Sequence, residues 1–469
     1  MKDPGRVVIL GAGPTGLGAA TRLAELGVAD FRVVERGDRP GGLASSWVDE
    51  HGFTWDIGGH VQFSHYAWYD ALCDRALGDA WLHHERESWI WINGRFVPYP
   101  FQNNIHRLDQ PDCAAALAGL ERAATERGPV PENFQDWILA TFGAELAELF
   151  FFPYNGKVWA HPLDTIGVGW MGERVAVPDV ERVRRNIREG RDDVSWGPNN
   201  TFRFPKRGGT GAIWNAVAAM LEPRRIEYGA TVAAVLLAER MVILRDGRRI
   251  PYDALVTSLP LDVLCRSTDG LPTPAREAAL SLVHSAVHVL GVGLRGPRPA
   301  ALARKCWMYF PEPHSPYFRV TVFSQYSPEN VPAGDCWSLM AEVSESPHRP
   351  VDAARIATKT LEAMRRDGLV PPEAEVVSLW HRREEHGYPT PFRGRDAALA
   401  SVLPELERHG VYSRGRFGAW KYEVSNQDHS CMQGVELVDR LCGVDPGDEP
   451  TLNRPDFANS GVFARGSGS

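Results

Sequence analysis

Three glycines, Gly11, Gly13 and Gly16, stand at G-x-G-x-x-G spacing directly after the apolar run Val7–Leu10 in "RVVILGAGPTGLGAATRLAEL". That spacing serves phosphate binding by backbone. The first glycine permits a tight turn, the second lets the main chain approach a pyrophosphate, and the third lets a helix pack on its strand. The helix that opens there, with Thr15 in its first turn, offers free N–H groups and partial positive charge to phosphate. Glu35 ends "FRVVE" nineteen positions after Gly16, where a carboxylate for a ribose hydroxyl belongs. A second turn, "RGDRPGGLASS", supplies Gly41, Gly42 and Leu43, and a plain NAD site leaves that glycine pair without a role. A second concentration of chemistry is "WIWINGRFVPYPFQNNI", Trp89–Ile105, where flat rings and amides crowd around one arginine.

These groups need elements to hold them. A buried strand, the glycine turn, a helix and a second strand account for the N-terminus. From about residue 109 to 189 the apolar spacing is near 3.6, as in "FQDWILATFGAELAELF", and predicts helices. Short strand-like runs follow from 225 to 259, with Asp246-Gly247 as a hairpin turn and Val232 offering backbone to an adenine. A β-rich block spans about 286–379, and "CMQGVELVDRLC" closes the chain as a helix. Trp89 and Trp91 alternate along a strand and read as core or domain contacts. Asn103 and Asn104 could satisfy loop backbone, the common fate of turn asparagines.

The chain has 469 residues, 43% hydrophobic and 23% charged, which places it among globular proteins of two to three domains. A net charge of −8 without a long basic run gives no support to nucleic-acid binding, and no run is long enough to cross a bilayer. Seven scattered cysteines, an odd number without CxxC pairs or metal-ligand spacing, predict a reducing, cytosolic compartment and no metal.

An acid followed six residues later by paired glycines resembles the FAD signature of the large flavoprotein group that includes amine oxidases. The middle of the chain narrows the likeness. "FTWDIGGHVQFSHY", "VPYPFQNNI", "PYNGKVWAHP", "GERVAVPD", "WGPNNTFRFPKRGGTGAIW", "HGYPTPF" and "RGRFGAWKYEVSNQDHS" together, in this order, resemble the UDP-galactopyranose mutase family in its eukaryotic-type branch. The resemblance implies an α/β fold: a doubly wound, Rossmann-like FAD domain (1–83, 200–290, 405–469) with a helical insertion (106–199) and an antiparallel β-sheet domain (84–105, 291–404). It implies non-redox interconversion of UDP-galactopyranose and UDP-galactofuranose through a reduced-flavin N5–sugar adduct, with NADPH as the source of electrons. Two alternatives stand beside it, a mutase for a related nucleotide sugar and a redox oxidase of the amine-oxidase-like group.

Residue by residue, Arg174 and Arg319 match the family's diphosphate-binding arginines, with a salt bridge to Glu173 or another carboxylate as the structural alternative. A guanidinium fork pairs two phosphate oxygens at once. Tyr99 and Gln102 match the base-binding positions, and Arg86 matches an arginine near the ligand, a structural ion pair serving equally well. Gly58, Gly59 and His60 resemble the loop against the flavin, where backbone rather than acid–base chemistry counts. Phe63, Asn155, Trp159, Asn199, Tyr309, Tyr388, Tyr422 and Asn426 match sugar or phosphate contacts. Arg416 matches a contact to the flavin nucleotide or the substrate phosphate, and Gln427 and Ser430 match contacts to the flavin. Ser195 stands where the family often has asparagine, and the stretch between "SPENVPAG" and "CWSLM" is shorter than in some eukaryotic-type members. That shortening leaves the number of subunits open.

Overall fold

Val7–Leu10 is a wholly buried strand and Pro14–Glu25 the helix after it. Pro14 suits the first turn because its fixed φ is already helical and its missing N–H would be unpaired there anyway. Gly13 caps that helix without a side-chain bond, so the first-turn amides remain for a ligand. The computed structural model describes residues 1–126, 128–171, 177–194, 200–444 and 449–459. Arg174, Ser195 and Asn199 lie outside the described residues.

Five parallel strands form the central sheet in the order Val411–Ser413, Ala254–Thr257, Val7–Leu10, Phe31–Val34 and Ile226–Glu227. Val7 sits opposite both Phe31 and Ala254. Helices cover this sheet, so its inner strands are apolar without alternation. The Gln427–Cys442 helix packs closely on Pro14–Glu25. A Cβ on Gly434 would stand 2.2 Å from the Thr15 carbonyl oxygen, and one on Gly18 2.6 Å from that of Cys431.

A seven-stranded sheet runs Glu375–Pro389, His284–Arg295, Cys336–Glu345, Arg319–Thr321, Trp307–Tyr309, Ser88–Ile92 and Arg95–Pro98. Only the Trp307–Tyr309 and Ser88–Ile92 pair is parallel. Within Ser88–Ile92, Ile90 and Ile92 point into the core, while Trp89 and Trp91 lie half-buried on the other face, as the alternation predicts. A smaller sheet of Val232–Leu236, Met241–Leu244, Arg249–Pro251 and Thr268–Asp269 contains the expected turn, with Gly247 at φ +86°.

Helices Gln110–Thr125, Phe134–Leu146, Phe152–Trp159 and Val180–Glu189 fill the stretch expected to be helical. A π-helical turn, Ala147–Phe151, joins the second to the third. The first two cross at Gly119 and Gly143, where a Cβ on Gly143 would lie 2.6 Å from the Gly119 carbonyl oxygen. The β-rich block needs correction: Ile356–Arg366 is a helix, burying Ile356, Thr360, Ala363 and Met364 along one stripe. All seven cysteines are free thiols, and among the described residues no helix is long and apolar enough to cross a membrane.

Candidate active site

The site has two parts. The first is a cradle of backbone at the C-terminal ends of the parallel strands, where α/β sheets bind ligands. Gly11 has φ +100°, and a Cβ on Gly16 would stand 1.9 Å from the Gly11 carbonyl oxygen, so only glycine fits at Gly16. The second turn folds onto the first. The Gly41 N–H donates to the Ala12 carbonyl (2.8 Å), and a Cβ on Gly42 would lie 3.5 Å from Gly13 Cα. Leu43 follows, half-buried between two cores. The Glu35 carboxylate accepts from Ala12 N–H (2.8 Å) and Gly37 N–H (2.7 Å), which leaves each oxygen capacity for a hydroxyl at the mouth of the turn. Bonds from Ala230 N–H to the Glu35 carbonyl and from Gly229 N–H to the Gly37 carbonyl bring the chain leading into Val232 alongside. Thr15 is buried against Gly415, a glycine that sequence reading passed over. Gly415 has φ +87°, and a Cβ there would lie 2.1 Å from Thr15 Oγ1.

The second part is a cavity of about 390 Å³, large enough for a small-molecule ligand. The described residues that the resemblance marks for substrate line it, namely Phe63, Arg86, Tyr99, Gln102, Asn155, Trp159, Tyr309, Arg319, Tyr388, Tyr422 and Asn426, whereas Arg416, marked for flavin or phosphate, does not. They come from the sheet, which carries Tyr309, Arg319 and Tyr388, the loops around Phe63, Arg86 and Tyr99, the Phe152–Trp159 helix, the turn at Tyr422, and the start of the Gln427–Cys442 helix. Tyr99 and Tyr309 face each other with ring centres 5.5 Å apart. The Arg86 guanidinium lies 5.4 Å from the Tyr99 ring centre and 5.2 Å from that of Trp307, and its Nε donates to Ser88 (3.0 Å). Asn155 donates to the Phe151 carbonyl (2.8 Å). Trp159 Nε1–H is buried with no hydrogen-bond partner among the described residues, a cost a ligand acceptor would remove. Asn104 behaves as a loop asparagine, its amide donating to the carbonyls of Pro98, Pro100 and Asp193.

Arg319 shows how the two parts meet. Its Nε and Nη2 donate to Glu342, each at 2.7 Å, across a register that sets the two residues opposite one another. The carboxylate pair considered as its alternative is therefore present, with Glu342 as the partner. Yet Nη1 makes no hydrogen bond among the described residues, and the side chain still lines the cavity. Glu342 also accepts the Gly59 N–H (3.1 Å), so one buried carboxylate fixes both the arginine and the Gly58–His60 loop. Gly58 has φ +95°, and its Cβ would stand 3.0 Å from Glu342 Oε2.

Removal from water pushes the His60 pKa down to about 4; Glu342 opposes this, while Arg416 and Arg319 add to it. Its Nδ1 is buried with no partner among the described residues. A neutral imidazole is a poor acid at neutral pH, consistent with a loop that acts through its backbone. Arg416 donates to the Gly387 carbonyl (2.9 Å) and to Ser425 Oγ (2.8 Å), its guanidinium 5.2 Å from the Tyr388 ring centre. Gln427 accepts from Trp214 Nε1 (2.7 Å), and Ser430 is buried in the same first turn.

Sequence reasoning missed Glu342, although a lone acid inside the buried run "SLMAEVS" was a signal for a cationic partner. It also missed His65, whose Nδ1 pairs with Asp428 (2.7 Å), and the rings of Phe134, Trp137, Phe150, Tyr154 and Trp170 that complete the cavity. Among the described lining residues there is no carboxylate and, apart from His65, no imidazole. Rings, amides and guanidinium groups in such a lining suit a flat ring and an anion, and the one lining imidazole, His65, has its Nδ1 engaged by Asp428.

Residues 14–420 match the family described as flavin containing amine oxidoreductase. Among solved structures, the chain is similar to a reduced UDP-galactopyranose mutase, with TM-score 0.94 and 46% identity over 97% of this chain and 99% of that one. It also resembles a CLA-producing fatty acid isomerase from P. acnes (TM-score 0.63, 16% identity, 94% and 99% covered). A putrescine oxidase triple mutant stands at the same TM-score with 17% identity, again over 94% and 99%. The last two likenesses concern the fold alone.

Proposed function

The chain belongs to the flavin-containing amine oxidoreductases and, within them, to the UDP-galactopyranose mutases, and on that premise we propose that it interconverts UDP-galactopyranose and UDP-galactofuranose with reduced FAD and no net redox change. The residues present fit FAD. Gly11, Gly13, Thr15 and Gly16 would meet its pyrophosphate, Glu35 a ribose, Val232 the adenine, and Gly41, Gly42 and Leu43 the same nucleotide half. Gly58, Gly59, Arg416, Gln427 and Ser430 would meet the flavin half, beside His60 Nδ1, which has no partner among the described residues. Bound and reduced, FAD supplies an electron-rich nitrogen as nucleophile toward the anomeric carbon.

The protein's own part is to bind, hold and exclude water. Tyr99 and Gln102 receive the uracil, the first by stacking and the second at its edge. Arg319 offers its Nη1 to the diphosphate while Glu342 keeps its orientation, so the nucleotide stays close when its bond to the sugar breaks. An arginine–phosphate charge pair at 4 Å and an effective dielectric near 20 is worth about 4 kcal/mol before desolvation costs. By the family's motifs, Arg174 supplies the second guanidinium, and Ser195 and Asn199 its polar company. Asn155, Trp159, Tyr309, Tyr388, Tyr422 and Asn426 contact sugar and phosphate, with Phe63 beside the sugar. The aromatic wall keeps bulk water from the reacting carbon.

We further place the chain in the eukaryotic-type branch, in the cytosol, with NADPH as reductant and the three-domain division given above. The observation that carries the reading is Arg319: half-buried, oriented by Glu342 beside the Gly59 amide, and open to an aromatic cavity on its remaining edge. The test is anaerobic incubation of the reduced protein with UDP-galactofuranose, followed by chromatographic assay. Accumulation of UDP-galactopyranose is expected; unchanged substrate overturns the proposal.

A further inference from the structure

Lys157 sits between two cavity residues, Asn155 and Trp159, on the Phe152–Trp159 helix, yet it does not line the cavity itself. It is 2% exposed, and its ammonium makes no ion pair among the described residues. Instead Nζ donates to four main-chain carbonyls: Phe310 (2.8 Å), Glu312 (2.5 Å), Ser315 (2.7 Å) and Tyr317 (3.2 Å). Three ammonium protons facing four acceptors means that at least one is shared, the arrangement of a cation in a carbonyl cage. Burial, aided by Arg349, pushes the Lys157 pKa down to about 7 against the pull of Asp367 and Glu312. A buried charge this costly is not a filler for space.

All four carbonyls belong to one loop, which joins Trp307–Tyr309 to Arg319–Thr321. Asp367 pins the same loop from another side, accepting from Ser315 Oγ and Tyr317 OH, each at 2.6 Å. The strand ends that this loop connects carry Tyr309 and Arg319. One ammonium thus fixes both relative to Asn155 and Trp159, its own helix neighbours.

We infer that Lys157 is a positioning residue of the nucleotide-sugar site: its ammonium takes the place of a bound monovalent cation at the centre of the carbonyl cage, and so clamps the loop bearing Tyr309 and Arg319 against the helix bearing Asn155 and Trp159. The inference rests on the proposed function for the identity of the ligand, but not for the cage itself. Methionine at this position fills the volume and donates nothing, leaving four carbonyls short of a donor. Alanine leaves the cage empty for a small cation to enter.

The test compares wild type, Lys157→Met and Lys157→Ala, each loaded with FAD, by turnover and by amide hydrogen exchange across residues 310–319. Both variants are expected to retain flavin, to exchange faster in that segment, and to lose about ten- to a hundredfold in kcat/KM through misplacement of Arg319. Ammonium or potassium ions added to Lys157→Ala should reverse both defects saturably, while Lys157→Met, its cage filled, should not respond. A variant with wild-type exchange and turnover overturns the inference, as does a Lys157→Ala defect that neither ion reverses. Should Lys157→Ala fail to accumulate, purification in ammonium buffer rescues it if the cage needs a cation, and failure there counts against the idea. Exchange reads the cage whether or not a sugar is isomerised. An inactive wild type therefore sinks the proposed function, and the exchange data still decide this inference.

Discussion

The cradle and the cavity are built on opposite plans. The cradle is backbone: Gly11, Gly13, Gly16, Gly41 and Gly42 contribute the lack of a side chain, and its carboxylate, Glu35, is held by two main-chain amides. The cavity is side chain: rings, amides and two guanidinium groups from distant segments, placed by sheet register and helix packing. A backbone site fails all at once when a Cβ intrudes. A side-chain site fails by degrees, because each residue carries only part of the binding.

The sharpest way to break this contrast is Gly16→Ala. With its Cβ 1.9 Å from the Gly11 carbonyl oxygen, the turn must shift, at a cost of about 3 kcal/mol or more. The expected protein is insoluble or purifies without flavin, read from the flavin-to-protein absorbance ratio; a full complement of flavin would refute the cradle. Next comes Glu342→Gln, which strips a buried partner from Arg319 and disturbs the Gly59 amide. Breaking such a pair costs about 3 kcal/mol or more, so kcat/KM should fall about a hundredfold with flavin retained. Smaller still is Tyr99→Ala, expected to raise KM roughly three- to tenfold through lost stacking, with Tyr99→Phe close to wild type. Equal losses in both Tyr99 variants would move the tyrosine's role from ring to hydroxyl.

A further effect, silent at neutral pH, lies on the pH axis. His60, with its pKa lowered to about 4, is neutral in the folded protein while the unfolded chain takes up a proton near 6.5. Stability is therefore lost as pH falls from about 6.5 through 4, and is whole above that window. In His60→Gln the melting temperature should fall less steeply over that range. A turnover inflection near pH 6.5 that vanishes in His60→Gln would make His60 an acid or base instead.

The same contrast explains what the sequence could reveal. Gly11, Gly13, Gly16 and Glu35 are legible because their constraint is local: a turn, a helix start and a strand end lie within thirty residues. Tyr99, Gln102, Arg319 and Tyr422 were found through short stretches shared with a family, and all four line one cavity. Glu342 was not legible because its meaning depends on strand register, which sets it opposite Arg319. Lys157 reads like any helix lysine until the loop from Phe310 to Tyr317 closes on it. Phe134, Phe150 and Tyr154 have helical spacing that looks alike for a core and for a cavity wall. Ile356–Arg366 was missed because its apolar stripe sits amid strands.

The measurement that most directly tests the central claim counts turnovers per electron pair. The protein is reduced once without oxygen, given excess UDP-galactofuranose, and followed for product and for flavin absorbance. Many sugars converted for each flavin, with the absorbance still that of the reduced form, is the result predicted. One product for each flavin reoxidised, or equal conversion by the oxidised protein, would contradict it.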